Sequence, residues 1–224
     1  MAKRDFLLEI IEKKTRLKRR TSRWNQVMAR IVNLIRIKQF IRNRKDHKIP
    51  ARSELAKYVP IGYAACIEGY FELVYRDLID SGAPFNDNVA NLKDLTININ
   101  HVIAMQNGKV TLGEYVSHLL PGNNLDKIND IMTTILGEPF LEKVKSIKID
   151  YFGDKKPVSL DDIKMASRVV TDIQSLFKQR HIFAHELNSK HAFNINHLMQ
   201  ISSASVYLIE ATEAIVENAI SARA

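Results

Sequence analysis

Four of the seven histidines, His181, His185, His191 and His197, fall within 17 residues, and two of them share the segment Arg180-His181-Ile182-Phe183-Ala184-His185. An arginine next to histidines is suited to phosphodiester cleavage. The guanidinium holds a phosphate oxygen through parallel hydrogen bonds and stabilises charge that develops there, while an imidazole titrates near neutrality and moves protons. On RNA the ribose 2′-hydroxyl is the nucleophile, so a base suffices, neither metal nor cofactor is required, and the product carries a 2′,3′-cyclic phosphate. One histidine does not readily serve both the attacking and the leaving oxygen, so a second copy from a symmetric partner would complete the chemistry.

The spacing matters only if the segment is a helix. At about 100° per residue, with Arg180 at zero, Ala184 falls near 40°, His181 near 100° and His185 near 140°. Phe183 and Leu187 fall near 300° and 340°, where they would anchor the helix. One sector thus carries a cation, two imidazoles and a small residue that lets another surface approach. Spacing alone leaves a plainer reading open, in which Arg180 forms a surface salt bridge and His185 is a satisfied helix-end residue. A metal site is the enzymatic rival, because His181 and His185 are four apart and His191 or Glu186 would complete a shell. The zincin pattern is absent, since His185-Glu186-Leu187-Asn188-Ser189 lacks its second histidine.

The elements around this segment follow from the rest of the chain. The 224 residues are 46% apolar and 26% charged, with 8 Gly and 6 Pro. That mix predicts packed helices in one core domain with an appendage. Cys66 is the sole cysteine, so no disulfide forms within the chain and a reducing cytoplasm is expected. The charges interrupting the apolar residues near the N-terminus predict neither a signal peptide nor a membrane span.

Charge is divided unevenly. Residues 1–52 hold 17 Lys and Arg against 4 Asp and Glu, a net of +13 within a total of +8. A basic helical arm over residues 1–50 that meets RNA is the functional expectation, with Arg16, Lys18, Arg19, Arg20, Arg23 and Arg30 as candidate contacts. The alternative is an arm that pairs with acidic surface on its own core. Trp24 and Phe40 are spaced to stack on bases, but core packing is the favoured reading.

The loss of periodicity over residues 43–50 sets the boundary with a core bundle spanning 51–224, with an insertion at about 86–156. Pro60 is expected to open a helix running to Asp80. Its apolar arc includes Ala64, Ile67, Phe71 and Val74, and Glu68 falls inside that arc. Either Glu68 points toward the core and needs a cation, for which Arg180 is the candidate, or the helix is rotated and Glu68 is on the surface.

In the insertion, Leu92 to Ile103 is read as a helix despite alternation at Thr96-Ile97-Asn98-Ile99-Asn100. Short helices follow near Leu112 to Leu120, Asp126 to Leu136 and Phe140 to Ile147. No chemistry is expected there. Ser159 with Asp162 predicts the start of the helix leading to Arg180. Asn194 is expected to cap the last helix, which ends near Ile220, and the whole reads as an all-α antiparallel bundle.

The stretch Leu176-Phe177-Lys178-Gln179-Arg180-His181-Ile182-Phe183-Ala184-His185-Glu186 resembles the signature of HEPN domains, an arginine, a polar residue, three more positions and a histidine. The segment Tyr63-Ala64-Ala65-Cys66-Ile67-Glu68-Gly69-Tyr70-Phe71 is similar to the glutamate-bearing helix of the RNase L-like and defence-associated branch. The resemblance covers roughly residues 55 to 220. It implies a helical bundle that dimerises with its two motifs facing across a cleft. It also implies metal-independent endoribonuclease activity with Arg180 and His185 catalytic, His181 positioning them or the phosphate, and Glu68 in support. A role as a toxin or antiviral-defence effector, with an antitoxin or regulatory protein as partner, is implied too. Some members of such families only bind, so a catalytically silent nucleic-acid-binding or assembly module is the alternative. Where one subgroup has a tyrosine two positions after the histidine, this chain has Leu187, which puts regulation by a nucleotidyltransferase antitoxin in doubt.

Overall fold

A computed structural model describes residues 5–16, 22–43, 50–93, 95–149, 157, 159–162, 164–185 and 195–222. These form ten α-helices: α1 (Phe6–Arg16), α2 (Arg23–Asn43), α3 (Pro50–Asp80), α4 (Phe85–Asn88), α5 (Ile99–Gln106), α6 (Leu112–Leu119), α7 (Leu125–Leu136), α8 (Phe140–Ser146), α9 (Ala166–His185) and α10 (Ile195–Ser221). The all-α expectation holds.

The longest helix, α3, is the axis of the bundle, with α2, α6, α9 and α10 packed along it. Its apolar positions recur at three and four, so Tyr63, Ile67, Phe71, Val74 and Leu78 are buried together. Phe140 of α8 meets Phe71 edge-on with ring centroids 5.9 Å apart, which ties the short helices to the same core. On α10, Leu198, Ile201, Ala204, Leu208 and Ala211 close the core from the other side.

Pro60 does not open α3; it lies inside a helix that begins ten residues earlier. A mid-helix proline removes one backbone hydrogen bond and crowds the preceding turn. Burial of Ala56, Val59, Tyr63 and Ala64 on both sides holds the helix through it.

The basic N-terminal segment also departs from expectation. Val27, Ile31 and Ile41 are buried, so α2 is a bundle helix packed on α3 and not a free arm. The first helix, α1, docks on α6 and α3 through ion pairs of Lys14 with Glu114 at 2.8 Å and Lys13 with Glu72 of α3 at 2.5 Å, and through a hydrogen bond between Glu9 and His118 at 2.9 Å. Of the two aromatics, Trp24 packs against the core, whereas Phe40 is 49% exposed.

The insertion is helical as expected, with its boundaries set by local chemistry. The Asn98 side chain accepts the His101 N–H, so α5 starts only at Ile99 and the preceding alternation is extended coil. Thr111 and Glu114 form a reciprocal capping box at α6, Asn124 caps α7, and Gly137 ends α7 at φ 75°. Before α9, Ser159 and Asp162 do exchange hydrogen bonds of 3.1 Å, and that contact with the Ser159 N–H lowers the Asp162 carboxyl. They close only a turn, because Lys164 is left-handed at φ 54° and the helix restarts at Ala166. Asn194, the expected cap of α10, lies outside the described residues, and α10 runs to Ser221.

Candidate active site

The buried stripe of α9 runs Val169, Ile173, Leu176 and Phe177. Arg180, four residues past Leu176, continues that stripe to the edge of the core, where its side chain is 33% exposed. On α3, Ile67 and Phe71 are fully buried and Glu68 sits between them, 27% exposed. The two stripes meet where both turn polar. Arg180 Nη2 lies 3.5 Å from Glu68 Oε1, an oxygen shielded from water and without a hydrogen bond among the described residues. Charge-assisted hydrogen bonds of this type are about 2.8 Å long, so the contact is electrostatic and loose. Glu68 thus faces inward, and Arg180 is the cation it meets.

Beyond this pair, α9 leaves the core. His181 and Ala184 are exposed, on the sector that the helical wheel assigned them. His185 is the last residue of α9, and its side chain lies outside the described residues, as do Glu186, Leu187 and His191. His197 of α10 lies 3.0 Å by Nε2 from Ser175 Oγ, one contact that joins α10 to α9. Among the described residues no group of three His, Cys, Asp or Glu is arranged to hold a metal ion.

A loop of the insertion supports the pair from behind. Gly122 packs against the backbone of Glu68, so closely that a β-carbon there would lie 3.2 Å from both the Glu68 Cα and its carbonyl oxygen. A β-carbon there would push the Glu68 backbone aside by a few tenths of an ångström, so glycine gives the closest fit. The sequence contains no signal for this beyond the pair Pro121-Gly122.

The expected RNA-contacting residues divide three ways. Lys18, Arg19, Arg20 and the side chain of Arg16 lie outside the described residues. Arg30 is exposed on α2. Arg23 corrects the expectation, because it is only 7% exposed and is engaged within the chain. Its Nε donates to Glu213 at 2.8 Å, Nη1 to Asp77 at 3.0 Å, and Nη2 to Glu217. The Tyr70 hydroxyl donates to the same Glu213 oxygen at 2.6 Å. Burial opposes the Arg23 charge, but Glu213 and Asp77 more than offset it and raise its pKa. Burial, then Glu213, holds the Tyr70 hydroxyl well above its ordinary range.

Among the described residues no helix is long and apolar enough to cross a membrane. A family model described as RiboL-PSP-HEPN matches residues 26–218, a span that starts within α2 and ends within α10. No curated protein and no solved structure matches the chain.

Proposed function

This chain belongs to the RiboL-PSP-HEPN family, and we propose that it is a metal-independent endoribonuclease whose working residues are Arg180 and His185. HEPN domains commonly bind RNA and dimerise, and many are ribonucleases. The observation that carries the reading is the loose Arg180–Glu68 contact at the polar end of two converging core stripes. A carboxylate at 3.5 Å orients the guanidinium without tying it into a short bidentate pair, which leaves donors for a phosphate oxygen.

In this reading a His185 imidazole takes the proton of the ribose 2′-hydroxyl as the oxygen attacks phosphorus. Arg180 stabilises the charge on the non-bridging oxygens. The bond to the 5′-oxygen breaks, and that oxygen leaves with a proton from a second imidazole, supplied by the other copy of the chain in a homodimer. His181, exposed one residue after Arg180, positions the phosphate. The products are a 2′,3′-cyclic phosphate and a 5′-hydroxyl. A cell that must restrain such an activity would employ it as a toxin or defence effector with an antitoxin or regulatory partner, and its site of action would be the cytoplasm.

One observation favours a second reading. Arg180 already has an anionic neighbour, as a residue retained only for structure would. A catalytically silent RNA-binding or dimeric assembly module therefore competes. End-group analysis of RNA incubated with the protein in EDTA separates the two. The ribonuclease reading requires 2′,3′-cyclic phosphate and 5′-hydroxyl ends, whereas 3′-hydroxyl ends, or loss of cleavage in EDTA, would remove it.

A further inference from the structure

A cleft of about 1200 Å³ lies away from Arg180. It lies in the insertion, between the first turn of α1, the segment before α5, the end of α6 and one face of α7, and neither Arg180, His181 nor Glu68 lines it. Ordinary small-molecule sites enclose roughly 300 to 1,000 Å³, so this one is large enough for a nucleoside with room to spare.

Its chemistry is specific. Phe6, Leu92, Leu95, Leu120 and Ile131 supply apolar walls, and the His101 ring lies tilted on Tyr115 with centroids 4.5 Å apart. Asn91, Asn98, Asn100 and Asn129 bring four primary amides to the same space. Lys93 and Lys127 are balanced by Asp5 and Asp130, so the lining has no net charge to attract a polyanion along its backbone. Apolar and aromatic walls with amide edges suit a flat heteroaromatic ring that carries both donors and acceptors.

Two of the amides have fixed orientations. Asn129 Oδ1 accepts the Leu141 N–H at 3.2 Å, which leaves its NH₂ group as the donor. Asn98 Oδ1 accepts the His101 N–H at 3.1 Å, so its nitrogen faces His101 Nε2, also at 3.1 Å. Nε2 is then the acceptor and the proton sits on Nδ1, which is shielded from water and has no acceptor among the described residues. The ring enters the cleft wall with one hydrogen bond unmade.

We propose that this cleft binds a nucleobase, carried either by single-stranded RNA or by a free nucleoside. Pro121 lines the cleft and its neighbour Gly122 rests on the Glu68 backbone, so an occupant that moves this loop moves the residue beside Arg180. That link to catalysis rests on the ribonuclease reading; the binding site does not.

The test measures binding of the four ribonucleosides by ligand-observed NMR, and of a 2′-O-methyl oligoribonucleotide by fluorescence anisotropy. The full chain is compared with Asn100→Leu, at an exposed position, and His101→Ala, with helix content checked by circular dichroism. Saturable binding of either probe that both variants weaken by about ten-fold is the expected result. Nucleosides that saturate on their own identify a free ligand, whereas binding of the oligonucleotide alone identifies a base of RNA. Binding of neither probe, or binding that both variants leave unchanged, overturns the proposal. The methylated probe has no free 2′-hydroxyl, so the result stands whether or not the protein cuts RNA.

Discussion

Glu68 of α3 and Arg180 of α9 are 112 positions apart in sequence and 3.5 Å apart in space. Both side chains remain about one-third exposed, so solvent screens the pair and its contribution to stability is at most about 1 kcal/mol. Its importance is orientation.

Glu68→Gln should therefore leave the unfolding midpoint nearly unchanged while lowering RNA cleavage about ten-fold, as expected for loss of roughly 1.4 kcal/mol of transition-state positioning. Urea unfolding and single-turnover cleavage measured on the same preparation check this. A variant that unfolds readily but cleaves normally would assign Glu68 to the fold alone.

Arg23 should show the reverse pattern. It is almost fully buried against Glu213 and Asp77, so Arg23→Ala removes their shared cation, leaves Glu213 only the Tyr70 hydroxyl and Asp77 only Arg76, and should cost about 2 to 3 kcal/mol. Glu217, at 59% exposed, adds little to that figure. Urea denaturation measures the loss, and RNA affinity of the folded fraction should not change.

Lys38 supplies a prediction with a pH sign. Burial first, and Arg42 second, lower its pKa from the usual 10.5. The unfolded chain then binds that proton more tightly than the folded one, so this residue's contribution to stability rises with pH through the window just below 10.5 and is least favourable at neutral pH. Lys38→Met should raise the urea midpoint at pH 7, with the gain shrinking as pH approaches 10.5. A lower midpoint at pH 7 would show that the ammonium is satisfied.

What could be read from the sequence was local. The helices α6, α7 and α8 were legible to within a residue or so because apolar spacing and turn residues such as Pro121-Gly122 and Gly137 act over a few positions. The exposure of His181 and Ala184 on α9 is legible for the same reason, whereas the His185 side chain lies outside the described residues, and Arg180 as the partner of Glu68 follows from one charge needing another. Pro60 misled because the packing that carries a helix through a proline is tertiary. Arg23 misled because charge counting does not reveal Glu213 and Glu217, some 190 residues away. The insertion read as chemically empty, yet its cleft is assembled from α1, α5, α6 and α7, none of which carries the lining alone.

In the proposed mechanism Arg180 and His185 do the chemistry. The direct measurement is the single-turnover cleavage rate of RNA in EDTA by wild type, Arg180→Ala and His185→Ala, each shown to be folded and of equal oligomeric state. Wild type should cleave without metal, and either variant should lose at least about 100-fold. Cleavage by His185→Ala at the wild-type rate, or equal inertness of all three on every RNA supplied, would contradict it.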